Sequence, residues 1–96
     1  MSPRRREIEA AIAAHNATDP EAALPPSTTR LLIAMFPEVD VCRRGLADLM
    51  AETGNHRRRV ERLLRLLMEA GFLSKEESPG RHPNVYRLHL PPLVRR

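Results

Sequence analysis

The sequence predicts an α+β domain: three helices forming a core, a small β-hairpin closing one side, and an additional helix at the N-terminus. Three observations carry this expectation. Val60, Leu63, Leu64 and Leu67 recur at i, i+3, i+4 and i+7, the period of a helix that buries one face. Tyr86, Leu88 and Leu90 alternate with Arg87 and His89, the period of a strand with one buried and one wet face. Leu and Ala dominate the apolar residues, a bias toward helix outside that strand.

Taken in order, residues 4–15 form a helix through Ile8, Ala11, Ile12 and His15. Its only large apolar residues are Ile8 and Ile12, so it needs a partner, either the body of the domain or a second copy. Pro20, Pro25 and Pro26 then bracket at most one short helical turn at 21–24. A firmer helix starts at Ser27 or Thr28, either of which can cap it, and Leu31, Leu32, Met35 and Phe36 supply its inward side before Pro37 stops it. Val39, Asp40 and Val41 have the pattern of a small strand that needs another strand to hold it. A third helix over 42–53 carries Leu46, Leu49 and Met50 and breaks at Gly54. The fourth, over 55–70, ends where Gly71 accepts a left-handed backbone at no steric cost. Residues 72–77 and 84–90 make the two strands of the hairpin, with the breaker-rich loop 78–83 between them. The resulting division is an N-terminal helix and linker over 1–26, a main domain over 27–92 and a short basic tail over 93–96.

Composition bounds the function. A chain of 96 residues fits one small domain and is too short for a large enzyme fold with a deep cleft. Sixteen Lys and Arg stand against twelve acids, and Lys75 is the only lysine. Arg supplies a planar, multi-donor fork suited to phosphates and base edges. The single cysteine, Cys42, cannot make an internal disulfide, and no cysteine cluster suits a structural zinc. The arginines near the N-terminus have no apolar stretch behind them, which predicts neither signal peptide nor membrane span and a cytoplasmic, nucleoid-associated protein. Asn16-Ala17-Thr18 has the form of a glycosylation sequon and, without a secretion signal, reads as chance.

Charge is focused in one place. Five arginines and one acid, Glu61, lie between Asn55 and Arg65, a local sum of +4 that equals the net charge of the whole chain. At about 100° per residue from Val60, Arg58, Arg62 and Arg65 fall at about 160°, 200° and 140°, one stripe opposite the leucine seam. Such focusing favours an anionic partner, and a helix of this size fits the major groove of duplex DNA. The bland alternative is a solvated face, with Glu61 and Arg65 as an i,i+4 pair that steadies the helix.

The order of elements from Ser27 onward resembles the winged helix-turn-helix family, especially the DNA-binding domains of bacterial, plasmid and phage regulators. The resemblance rests on Arg43-Arg44-Gly45-Leu46-Ala47-Asp48-Leu49, Glu52-Thr53-Gly54, Arg57-Arg58-Arg59-Val60-Glu61-Arg62-Leu63-Leu64, Glu69-Ala70-Gly71-Phe72-Leu73, and a Pro-Gly-Arg wing ending in Tyr86-Arg87-Leu88. It covers about two-thirds of the chain and implies that the helix after Gly54 enters the major groove. His56, Arg57, Arg58, Arg59 and Arg62 are then candidates for base edges and Arg65 for phosphate. Arg43 and Arg44 would open the preceding helix, where its amides and their charges meet a phosphate. Arg81 on the 78–83 wing would touch minor groove or backbone, and Arg87 would add a weaker phosphate contact.

These expectations amount to sequence-specific binding of double-stranded DNA in transcriptional regulation. Two alternatives stand beside it: an accessory factor in plasmid or phage replication or recombination, and a winged-helix module that docks on a protein of a replication or transcription complex. Ile8 and Ile12, or Leu93 and Val94, are candidate homodimer contacts, and each also reads as a core-edge residue. Two departures from the family pattern concern the helix starts. Cys42 and Gly45 stand where a Ser or Thr cap and a Glu are common, leaving Asp40 as an alternative cap. Gly54 is followed by Asn55 and His56 rather than an apolar residue and a cap, and Asn55 reads as the cap of the fourth helix. Nothing in the sequence points to catalysis, a cofactor or a metal: Cys42 reads as a packed small residue, and His15, His56, His82 and His89 are scattered over four elements.

Overall fold

A computed structural model describes residues 3–76 and 84–93. The wing tip with Arg81 and His82, and Val94 in the tail, lie outside the described residues. The elements are α1 (Pro3–Thr18), a 3-10 turn (Pro20–Ala22), α2 (Pro26–Met35), β1 (Val41–Cys42), α3 (Leu46–Thr53), α4 (Arg57–Glu69), β2 (Leu73–Glu76) and β3 (Val85–Leu88). The strands form one antiparallel sheet in the order β1-β3-β2. Four helices with a small, open hairpin make an α+β fold of winged-helix type, the topology that the breaker pattern predicts.

The leucine seam of α4 sits where its period puts it. Val60, Leu63, Leu64 and Leu67 are buried, joined by Leu31, Leu32 and Met35 of α2, Leu49 of α3, Leu73 and Leu88 of the sheet, and both phenylalanines. α4 ends in a two-bond cap: Gly71 N–H donates to Met68 O at 3.1 Å and Phe72 N–H to Leu67 O at 2.9 Å. That cap needs the left-handed backbone found at Gly71, where φ is +88°.

α1 belongs to the same core. Ile8 is fully buried and Ile12 is 5% exposed, so the expectation that they form a dimer contact is corrected: their partner is the protein's own interior. Three polar ties hold the helix there. Arg4 pairs with Asp40 at 2.7 Å, ahead of β1. His15 Nε2 meets Ala22 O at 3.1 Å. Asn16 clamps the linker through both ends of its amide, Oδ1 accepting from Leu24 N–H at 2.8 Å and Nδ2 donating to Leu24 O at 3.3 Å.

The starts of α2 and α3 differ from the expected caps. α2 begins at Pro26 with Pro25 as its N-cap, because proline at the first helical position has no N–H to satisfy. Thr28 is instead buried inside the first turn, its hydroxyl donating to Pro25 O at 2.6 Å. α3 starts at Leu46 with Gly45 as N-cap, not at Cys42 or Asp40. Cys42 is taken by the sheet, paired with Tyr86 as Val41 pairs with Arg87. The Asp40 carbonyl extends that ladder by accepting Leu88 N–H at 2.8 Å. The strand expected at 39–41 is thus shifted along the chain, and Val39 is left exposed.

β2 and β3 pair Leu73 with Leu88, Ser74 with Arg87, Lys75 with Tyr86 and Glu76 with Val85. Leu88 is buried, Tyr86 and Leu90 are half-buried against the core, and Arg87 is exposed. Leu93 crosses back over the end of α4, donating from its N–H to Gly71 O at 2.8 Å, with its side chain exposed.

Candidate nucleic-acid interface

α4 is the most amphipathic element, and its polar side is arginine. Gly54, with φ at +69°, ends α3 through its N–H to Met50 O and turns the chain toward α4. His56, not Asn55, is the N-cap of α4, and no side chain caps its first turn. Arg57, Arg58 and Arg59 make up that first turn, whose amides have no side-chain acceptor.

Arg57, Arg58, Arg59, Arg62 and Arg65 are all exposed. Their partners divide them. Arg57 Nε donates to Glu61 Oε1 at 3.0 Å, so Glu61 pairs one turn back rather than forward to Arg65. Arg59 is turned toward α2, donating from Nη2 to Ser27 Oγ at 3.0 Å. Arg58, Arg62 and Arg65 have neither an ion pair nor a side-chain hydrogen bond among the described residues. His56, Arg57, Arg58, Arg59 and Arg62 line one shallow depression at the start of the helix.

The flanking arginines are placed differently from the expectation. Arg43 and Arg44 precede α3 rather than opening it, because Gly45 is the N-cap. Arg43 is exposed. Arg44 pairs with Glu52 of α3, and its Nη1 also donates to Ala34 O of α2 at 3.2 Å, so two acceptors of the protein already occupy it. Arg87 lies on the open face of the sheet with Nε 2.7 Å from Glu76 Oε1, a diagonal cross-strand pair. The pairs of Arg57 and Arg87 are more than two-fifths exposed at both ends. Exposed pairs of that kind contribute at most about 1 kcal/mol, so a phosphate can draw Arg87 away from Glu76 at small cost.

A groove between α4 and the sheet escapes sequence reasoning. Arg57 and Glu61 form its helix side, and Lys75, Asn84 and Tyr86 its sheet side, with Arg44 also lining it. Burial, with smaller contributions from Cys42 and Glu61, pushes the Tyr86 phenol above its ordinary 10.0, so it is a neutral donor at physiological pH. The lone lysine opposite Tyr86 was the available signal, but its meaning depends on the β2–β3 register.

Other polar residues are occupied structurally. His89 Nε2 is 2.8 Å from Ser74 Oγ, and the His15 ring meets Phe72 edge-on with centroids 5.8 Å apart. Cys42 is buried, which raises its thiol above the ordinary 9.0. Among the described residues, no group of three or more His, Cys, Asp or Glu is placed to hold a metal, and no helix is long and apolar enough to cross a membrane. No protein-family model, curated protein or solved structure matches the chain.

Proposed function

We propose that this chain is a non-enzymatic, sequence-specific double-stranded DNA-binding protein acting in transcriptional regulation. α4 lies in the major groove, and the 78–83 wing lies against backbone or minor groove. The observation that carries the reading is the stripe of Arg58, Arg62 and Arg65, exposed opposite the buried seam and without acidic partners among the described residues. A solvated face alone has no need of such one-signed charge, and like-charged neighbours on one helix face oppose each other. A polyanion relieves that repulsion. The uncapped start of α4 adds amide donors at the same end.

Arg58 and Arg62, near the first turns, are the base readers, with His56 and Arg57 beside them. Arg65, farther along, holds phosphate, and Arg43 contacts backbone from the segment before α3. Arg59 and Arg87 reach phosphate by giving up Ser27 and Glu76. Arg44, held by Glu52 and Ala34, contributes least.

The test is selection of bound sequences from a pool of random duplexes, followed by titration of the winners across a salt series. A regulator enriches a motif, palindromic if two copies bind, and its log affinity falls with log salt by about 0.9 for every phosphate neutralised. Equal binding to all duplexes instead assigns an accessory, architectural role. No duplex binding at any salt overturns the reading.

A further inference from the structure

Glu61 is the only acid among the five arginines between Asn55 and Arg65. On a helix face offered to a polyanion, an acid weakens attraction, so its place calls for a physical account. Its Oε1 takes the Nε–H of Arg57 at 3.0 Å. Nε lies on the stem side of the guanidinium. The far edge, Nη1 and Nη2, has no hydrogen-bond partner among the described residues, and the Arg57 side chain is 72% exposed. That far edge carries the two parallel N–H groups that match O6 and N7 of guanine. Arg57 also borders both concavities of the face, the depression with Arg58 and Arg62 and the groove opposite Lys75 and Tyr86. A long side chain held at its stem loses less freedom when its tip docks.

We propose that Glu61 is a positioning residue for sequence readout: held through Nε, Arg57 aims its terminal edge at a guanine, and Glu61 lowers general affinity while raising selectivity. This rests on the duplex-binding reading above. Glu61 acts through Arg57, so its contribution exists only while Arg57 is present.

The experiment uses the full chain and the duplex enriched from a random pool, with each G·C pair exchanged in turn for A·T. Arg57→Ala is expected to erase a preference of about tenfold or more at one G·C position, the range of a bidentate contact. Glu61→Ala is expected to weaken that preference about two- to fivefold and to tighten binding to a scrambled duplex about twofold, the scale of one exposed charge. Glu61→Gln keeps an acceptor for Nε–H without the charge; it restores part of the preference and keeps the tighter scrambled binding. The double variant is no less selective than Arg57→Ala alone. Circular dichroism checks that all variants keep the fold. An unchanged preference in Glu61→Ala overturns the proposal. So does a loss that persists without Arg57, because Glu61 would then read a base itself. Duplex binding without any guanine preference also overturns it and leaves duplex binding standing, whereas absence of duplex binding removes both.

Discussion

Gly71 and Leu93 pass so closely that a methyl group on Gly71 would overlap the Leu93 carbonyl oxygen. The Leu93 N–H donates to Gly71 O at 2.8 Å, pinning the end of the described chain over the last turn of α4. With φ at +88°, an alanine would meet both backbone strain and a rigid neighbour. Gly71→Ala is therefore expected to cost at least about 2 kcal/mol and to lower Tm by roughly 10 °C. Gly45→Ala is the control: its backbone is extended, no atom lies within 4 Å of the added methyl, and the loss should stay under about 1 kcal/mol. Thermal unfolding of the two variants checks the contrast.

Ile8 faces the core, not a second copy. Ile8→Ala is expected to destabilise by about 2–5 kcal/mol, the cost of truncating a fully buried side chain. Urea unfolding measures it. A variant with unchanged stability and an altered sedimentation coefficient would show that α1 serves assembly instead.

Asn16 closes the linker onto α1 through two hydrogen bonds to one residue, Leu24. Asn16→Ala leaves a part-buried donor and acceptor to find water and should cost about 1–3 kcal/mol. Faster amide hydrogen exchange at Leu24 and along α1, with α4 unaffected, is the expected signature.

Burial raises the Cys42 thiol above its ordinary 9.0. As pH rises past 9, the unfolded chain gives up this proton first while the native state retains it. The stability this group contributes is thus complete below pH 9 and is lost as pH climbs through the folded value. Tyr86, raised above 10.0 chiefly by burial, acts in the same direction. Urea midpoints between pH 7 and about 10 should fall, and fall less steeply in Cys42→Ala. At pH near 8 the native thiol should resist iodoacetamide that modifies the unfolded chain.

What the sequence disclosed depended on how local each signal was. The α4 seam, the Gly71 cap and the hairpin are written in neighbouring residues, and the structure keeps them within a residue or two. The start of α3 was not local. Cys42 looks like the first residue of a helix until Tyr86, far along the chain, claims it for the sheet. Ile8 and Ile12 announced a buried face, but helical spacing does not say whose core buries it. The same limit holds at the candidate site. Exposure of Arg58, Arg62 and Arg65 follows from the wheel. The wheel puts Arg57 and Arg65 about 40° to either side of Glu61, so it cannot choose between them. The holds of Glu52 on Arg44 and of Glu76 on Arg87 are set by tertiary packing and strand register, which no short window contains.

The proposed function turns on contact between the outward arginines of α4 and a duplex. Equilibrium binding of Arg58→Ala/Arg62→Ala to the selected duplex tests it most directly, beside an Arg5→Ala/Arg6→Ala control that removes equal charge from α1. The α4 pair is expected to lose about tenfold or more in affinity, with Tm and helical signal preserved, and the control to change by about twofold or less. Equal losses in the two variants, or undiminished binding by the α4 pair, would contradict it.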